Sequence, residues 1–309
     1  MKKMCLVLLM VLAILSTTVV AYADTDSIKS TADSGIMVYG PLNSYAEPGN
    51  AAWGTAPVPA VATWKHPSWP LISGSDAIWI SNTTLISGNI SGDTWRLFRK
   101  TVELCTGAYN ISGTINANSD NAEAVYVNGV LVGSDGNLQG TPTNDLEWKT
   151  VKPYNYNASD ASLKFEFIVR NYAGASDPYS NPTGVIFNAT INYSCPVEVT
   201  IDIKPGSDPS CFNNNGHGII PVAILGSATF DVNNINVTTI TLQGLPVAVR
   251  GNKSLASYSD FNSDGFTDLV VKFEDLDGTF SKGDGFATLN GNLKDGTPFF
   301  GVGDICVTQ

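Results

Sequence analysis

The sequence predicts an all-β protein of two β-sandwich domains, an N-terminal jelly roll and a smaller C-terminal sandwich, behind a signal peptide. Three observations carry this. Helical periodicity is almost absent after the first two dozen of the 309 residues. Short segments of alternating apolar and polar residues recur instead, the period of a strand with one buried face. The composition also changes near residue 195, since all six tryptophans lie before it.

The chain opens "MKKMCLVLLMVLAILSTTVVAYADTDS". Lys2 and Lys3 precede an apolar run from Met4 to Leu15, and Ala21 to Ala23 offer small residues at a cleavage site, so residues 1–23 read as a secretory signal peptide. That segment holds two lysines and no acids, so its removal takes the formal charge from −11 to −13. No later stretch reaches the ~18 apolar residues that span a bilayer. The expectation is a secreted or cell-surface protein with no transmembrane anchor in the mature chain. The acidic balance leaves no basic stripe to meet phosphates, which argues against a nucleic-acid partner.

Residues 24 to about 50 lack periodicity and read as a leader or an irregular first strand. Strands follow in "AIWIS", "RLFRKTVEL", "AYNISGTINA", "AEAVYVNGVLVG", "LKFEFIVRNY" and "GVIFNATINYS". Asn128-Gly129 between Val125/Val127 and Val130/Val132 is a strong hairpin signal. Pro196 interrupts the pattern, which places an N-terminal domain at 24–195 and a second at 196–309. The latter runs through "VTIDIKPGS", "GIIPVAILGS", "TITLQGLPVAV", "DLVVKFE" and "FATLNGNLKDGTPFFG", again short strands with Gly, Pro and Asn turns.

Four cysteines follow the signal: Cys105, Cys195, Cys211 and Cys306. An even number in an exported chain reads as disulfides, with three connectivities open. Cys105–Cys195 with Cys211–Cys306 keeps each bridge inside one domain. Asn-X-Ser/Thr sequons begin at Asn82, Asn89, Asn110, Asn157, Asn188, Asn192, Asn236 and Asn252. They are open to glycosylation in a suitable host, although so much Asn, Ser and Thr also generates sequons by chance.

"DFNSDGFTD", Asp260 to Asp268, has the spacing of a calcium loop. Such loops place oxygens at positions 1, 3, 5, 7 and 9 and a glycine at the sharp turn of position 6. Here these are Asp260, Asn262, Asp264, the Phe266 carbonyl and Asp268, with Gly265 at the turn. Position 12 is Val271 and the next residues are β-branched and aromatic, so the loop leads into a strand. A Ca²⁺ held this way is structural and weak, with a dissociation constant of about 10⁻⁴–10⁻³ M. A solvated Asp/Asn/Gly turn is the plainer alternative.

Trp64 and Trp69 lie in the proline-punctuated "ATWKHPSWPLI". Exposed, they offer flat surfaces on which sugar rings stack; buried, they plug one end of the jelly roll. Trp79, Trp95 and Trp148 read as structural. "NSDN", Asn118 to Asn121, reads as a polar turn. His66 and His217 lack metal-ligand spacing and read as loop residues. The chain carries none of the GxSxG, HExxH or Walker-type signatures. A glycosidase needs two carboxylates across a cleft. Glu123, Glu147 and Glu166 are available, and Glu166 in "LKFEFIVRN" reads as the outer face of a strand.

Two resemblances add to this. Residues from about 60 to 194, through "WRLFRKTVEL", "INANSDNAEAVYVNGVLVG", "LKFEFIVRN" and "PTGVIFNATINYS", resemble galactose-binding-like jelly-roll modules. That resemblance implies a jelly roll and makes Asn118–Asn121 a candidate for a second ion site. Residues 199–307 resemble an uncharacterised domain of secreted bacterial and archaeal proteins. "IDIKPGS", "IPVAILGS", "DFNSDGFTDLVVKF", "GDGFATLNG" and "DGTPFFGVGDICV" carry the likeness, and Gly285 stands where a hydroxyl residue is usual. The loop from Asp260 is similar to the calcium loops of integrin-type propeller repeats. The expectation is a non-catalytic binding or adhesion protein whose partner is a polysaccharide or cell-surface glycan, with envelope proteins as a second class. A structural component of an envelope, sheath or matrix is the rival, and a glycan-active hydrolase the third reading.

Overall fold

A computed structural model describes residues 23–86, 92–142, 146–174, 177, 179–213, 218–276 and 278–308. The signal segment up to residue 22, Asn89 and His217 lie outside them. The described residues form strands joined by turns, with three single 3-10 turns and no α-helix, and no helix among them is long and apolar enough to cross a membrane. The chain divides into two compact units, Tyr22–Cys195 and Pro196–Gln309.

The N-terminal unit contains β1 (Ala23–Lys29), β2 (Met37–Leu42), β3 (Val58–Pro59), β4 (Val61–Ala62), β5 (Ile80–Ser81) and β6 (Thr94–Glu103). It continues with β7 (Tyr109–Asp120), β8 (Ala122–Val127), β9 (Val130–Asp135), β10 (Lys152–Ala158), β11 (Ser162–Asn171) and β12 (Gly184–Ser194). One sheet runs β10-β7-β12-β5-β4 with β1 also on β12; the other runs β3-β2-β6-β11-β8-β9. The long strands β6, β7, β8, β10, β11 and β12 fall in the two sheets so that the chain repeatedly crosses between them, as in a jelly roll. Period-2 patterning explains the core: Phe165, Phe167 and Val169 on β11 meet Ile115, Phe187 and Ile191 of the facing sheet. The hairpin is as expected, with Asn128 and Gly129 at φ of 50° and 79° between β8 and β9.

One sequence expectation needs correction and another is completed by the structure. Residues 24–50 are not a leader but hold two strands, β1 paired along β12 and β2 along β6, with turns between and after them. Their mostly polar residues hide the strand period, and the partner strands supply the hydrogen bonds that set it. Glu166 does project from the outer face of its sheet, but that face is covered. The stretch from Tyr39 to Trp53 lies over it and makes a satellite core with Leu97, Ala124, Tyr126 and Ile168. Glu166 is therefore fully buried and paired with Arg99 at 2.7 Å. Arg99 also donates to the Tyr39 hydroxyl at 3.1 Å and the Pro48 carbonyl at 3.2 Å.

The C-terminal unit contains β13 (Val197–Glu198), β14 (Ile201–Ile203), β15 (Cys211–Phe212), β16 (Ile219–Ile224), β17 (Ile235–Leu242), β18 (Leu245–Pro246) and β19 (Val249–Arg250). It closes with β20 (Lys253–Ser254), β21 (Ala256–Ser259), β22 (Asp268–Glu274), β23 (Phe286–Leu293), β24 (Pro298–Asp304) and β25 (Cys306–Val307). A sheet β13-β24-β23-β17-β18 and a sheet β14-β16-β22-β21 enclose one core that includes Val222, Val271, Phe273, Leu289 and Phe299. Each unit holds one disulfide, Cys105–Cys195 and Cys211–Cys306, the pairing that domain-wise reasoning favoured. In the chain-entropy model a bridge closing roughly a hundred residues stabilises by about 4–5 kcal/mol.

Arg99→Ala should destabilise the N-terminal unit by about 1–3 kcal/mol, because it removes the close partner of the buried Glu166 carboxylate and leaves only the Lys164 ammonium, at 3.8 Å. Urea unfolding followed by near-UV circular dichroism measures this; an unchanged midpoint would show that Glu166 is not held as described.

Candidate functional site

The end of β7 organises the part of the N-terminal unit where the aromatic residues of the loops gather. Asn118, Ser119 and Asp120 are not a polar turn; they close β7 and are all buried. Each of their main polar contacts ties down a different loop. Asp120 Oδ2 accepts from Trp69 Nε1 at 2.9 Å, and the Asp120 carbonyl accepts from Thr183 Oγ1 at 2.5 Å. Asn118 Nδ2 donates to the Trp148 carbonyl at 2.9 Å. These bonds fix the loop of residues 64–72, the stretch leading into β12, and the 3-10 turn Glu147–Lys149.

Trp69 is therefore not a surface platform. It is 2% exposed, stacks on Trp79 with centroids 4.1 Å apart, and belongs to a small core with Ile72, Ala77 and Ile186. Its burial has a polar reason: Asp120 accepts its indole N–H, and the Trp79 indole in turn donates to the Pro70 carbonyl at 2.8 Å.

Trp64 differs. It is half-buried, and its ring meets Tyr179 edge-on at 5.1 Å and 83°. Tyr179 is 53% exposed. His66 lies 6.0 Å from Trp64 and 5.7 Å from Trp148, and the Lys149 ammonium sits 4.8 Å from the Trp148 ring centroid. The result is a partly exposed corner of perpendicular aromatic surfaces with a cation at one side. Tyr179 was not singled out from the sequence, and Trp148, read there as structural, does pack partly against the small core around Trp69. Tyr179 had no signal beyond its place in a loop, whereas a tryptophan in the polar stretch "NDLEWKT" was the available hint for Trp148.

Burial raises the pKa of Asp120 to about 7, the Glu147 carboxylate adds to this, and the Trp69 N–H opposes it. Glu123 is likewise raised to about 7 by burial against the opposing hydrogen bond from Tyr154, whose hydroxyl donates to Oε1 at 2.8 Å. Glu123 pairs in register with Val169 and Glu166 with Tyr126, so the two glutamates occupy opposite faces of one sheet and do not confront each other across a cleft.

In the C-terminal unit the loop before β22 turns at Gly265, with φ of 93°. Asp260 accepts from the Asp264 and Gly265 amides at 3.1 and 3.0 Å, Asn262 Oδ1 accepts from the Asp264 amide at 3.1 Å, and Asp264 Oδ1 accepts from the Phe266 amide at 2.9 Å. These side chains share one exposed turn. Asp268 has another place. It is fully buried, and its carboxylate accepts from the amides of Gly226, Phe261 and Asn262 at 2.8, 2.7 and 3.4 Å. Gly226 is held there by sterics: a Cβ on it would lie 2.1 Å from the Thr267 carbonyl oxygen. The motifs "IPVAILGS" and "DFNSDGFTD" are thus one structural piece, with Asp268 as its tether. Among the described residues no group of three or more His, Cys, Asp or Glu side chains is arranged to hold a metal. The oxygen chemistry of Asp260, Asn262, Asp264 and the Phe266 carbonyl still suits a hard cation.

No protein-family model and no curated protein matches the chain. Among solved structures it is similar to a β-glucuronidase of Ruminococcus gnavus (9% identity, 93% of this chain and 45% of that one, TM-score 0.27). It is similar also to a β-glucuronidase of an uncultured Clostridium sp. (9%, 92% and 45%, TM-score 0.26). A third is a putative β-galactosidase from Bacteroides fragilis (15%, 93% and 41%, TM-score 0.27). The chain spans less than half the length of each, and at these scores the likeness carries no argument about activity.

Asp120 and Glu123 both bind protons more tightly folded than unfolded. The folded chain thus holds more protons between about pH 4 and pH 7, and stability falls as pH rises through that window. Asp120→Asn should flatten the dependence, leaving the share due to Glu123. Melting temperatures from pH 4 to pH 8 measure it; a variant with the wild-type slope would show that Asp120 ionises freely in the fold.

Proposed function

We propose that this chain is an exported, non-catalytic binding protein. Its N-terminal jelly roll holds a polysaccharide or cell-surface glycan, and its C-terminal unit is a calcium- and disulfide-stabilised module. The observation that carries the reading is the Trp64–Tyr179 corner, two perpendicular aromatic surfaces on loops fastened to the buried end of β7. The apolar faces of sugar rings stack on such surfaces at little entropic cost, because the aromatic side chains have few rotamers to lose. In the C-terminal unit, Asp260, Asn262, Asp264 and the Phe266 carbonyl would hold Ca²⁺, with Asp268 setting the loop rather than serving as an exposed ligand.

Titration of the chain against a panel of polysaccharides in millimolar calcium should find one that binds saturably. Trp64→Ala should weaken it about tenfold or more, the equivalent of about 1.4 kcal/mol. Self-association with no glycan bound would instead favour an envelope or matrix component. Calcium at ten times its dissociation constant should stabilise the C-terminal unit by about 1.4 kcal/mol. Asp264→Ala should remove that increment, and identical melting in calcium and in EDTA would reduce the loop to a turn.

A further inference from the structure

The outer face of the sheet formed by β10, β7, β12 and β1 is covered with short amide and hydroxyl side chains. On β10, Tyr154 and Tyr156 point into the core while Asn155 and Asn157 are exposed. Asn155 lies opposite Thr114 and Asn157 opposite Ser112. Across the other edge of β7, Asn188 lies opposite Asn116 and Asn192 opposite Ser112, and Thr25 of β1 follows opposite Asn192. Lateral hydrogen bonds join neighbours, from Thr114 to Asn155 at 2.7 Å and from Thr25 to Asn192 at 3.1 Å.

Four sequons start on these strands, at Asn110, Asn157, Asn188 and Asn192. The asparagines at 110, 157 and 192 are exposed, whereas Asn188 is half-buried and accepts from Asn116 at 3.0 Å. Off this face, Asn82 is half-buried and accepts from Arg96 Nε at 2.8 Å. Asn236 is likewise half-buried, and its Oδ1 accepts from the Thr238 hydroxyl at 2.8 Å. A second feature singles out two of the exposed asparagines. A depression of about 560 Å³ is lined by Tyr109, Asn110, Ser112, Asn157 and Ser159 among others, so both complete sequons open into one hollow beside an aromatic ring.

We infer that this face is covalently N-glycosylated at Asn110, Asn157 and Asn192, and that the hollow seats the sugar nearest the chain. In the step, asparagine Nδ2 bonds to the anomeric carbon of an oligosaccharide carried on a polyisoprenyl phosphate or pyrophosphate. The carbon–oxygen bond to phosphate breaks, the phosphate departs with the electron pair, and the amide proton passes to a base of the membrane transferase. The inference rests on the reading that the chain is exported.

The test is tandem mass spectrometry of the full chain purified from its own cells, which also reads the amino terminus. The expected result is a mature chain lacking residues 1–23 with sugar on Asn110, Asn157 and Asn192. Ser112→Ala and Ser159→Ala should each remove one glycan mass while leaving the asparagine and the circular dichroism spectrum unchanged. A processed chain with these asparagines bare, or with sugar only at Asn252, overturns the inference and leaves the export reading standing. An unprocessed, bare chain overturns both. Sugar that survives the serine substitutions overturns the assigned sites.

Discussion

The hydrogen bond from the Trp69 indole to Asp120 is the interaction on which the aromatic corner of the N-terminal unit depends. It joins a buried carboxyl at the end of β7 to a loop with no regular structure of its own. A polar group buried there without a partner would cost about 1–3 kcal/mol, so the bond confines the indole to one place. Once Trp69 is stacked on Trp79, the segment before it has little freedom, and Trp64 is left at the surface. The same strand end reaches two other loops through Thr183 and Asn118, which brings Tyr179 and Trp148 into the group.

The C-terminal unit repeats the device with a different residue. Asp268, at the start of β22, gathers three backbone amides and so fixes both the start of the loop and the approach of Gly226. A buried carboxylate that accepts several amide hydrogens is well compensated for its desolvation. In both units, then, a buried aspartate at a strand end holds an irregular loop. The loop presents aromatic rings in one case and oxygen-rich side chains in the other.

Much of the fold was legible in the sequence because it rests on local rules. Asn128-Gly129 specifies its hairpin through two positive φ angles, and the alternation in "LKFEFIVRN" correctly puts Phe165 and Phe167 inside and Glu166 outside. What escaped depends on residues distant in sequence. That Glu166 is nonetheless buried follows from a segment more than a hundred residues earlier lying over its sheet. "NSDN" has turn composition, and its first three residues became a buried strand end because Trp69, Trp148 and Thr183 supply their partners. Of the two tryptophans proposed as a ligand face, Trp64 is at the surface and Trp69 in the core. Their spacing alone contains nothing to separate them.

The central claim is that Asp120 positions the aromatic corner and not merely its own hydrogen-bond partner. The most direct measurement is a comparison of the tryptophan indole N–H resonances of the wild type and Asp120→Ala by two-dimensional NMR. The signals of Trp64 and Trp148 should shift and broaden together with that of Trp69, while those of Trp53 and Trp95, in the satellite core on the other sheet, stay in place. A shift confined to Trp69 would contradict the claim and leave the three loops independent of one another.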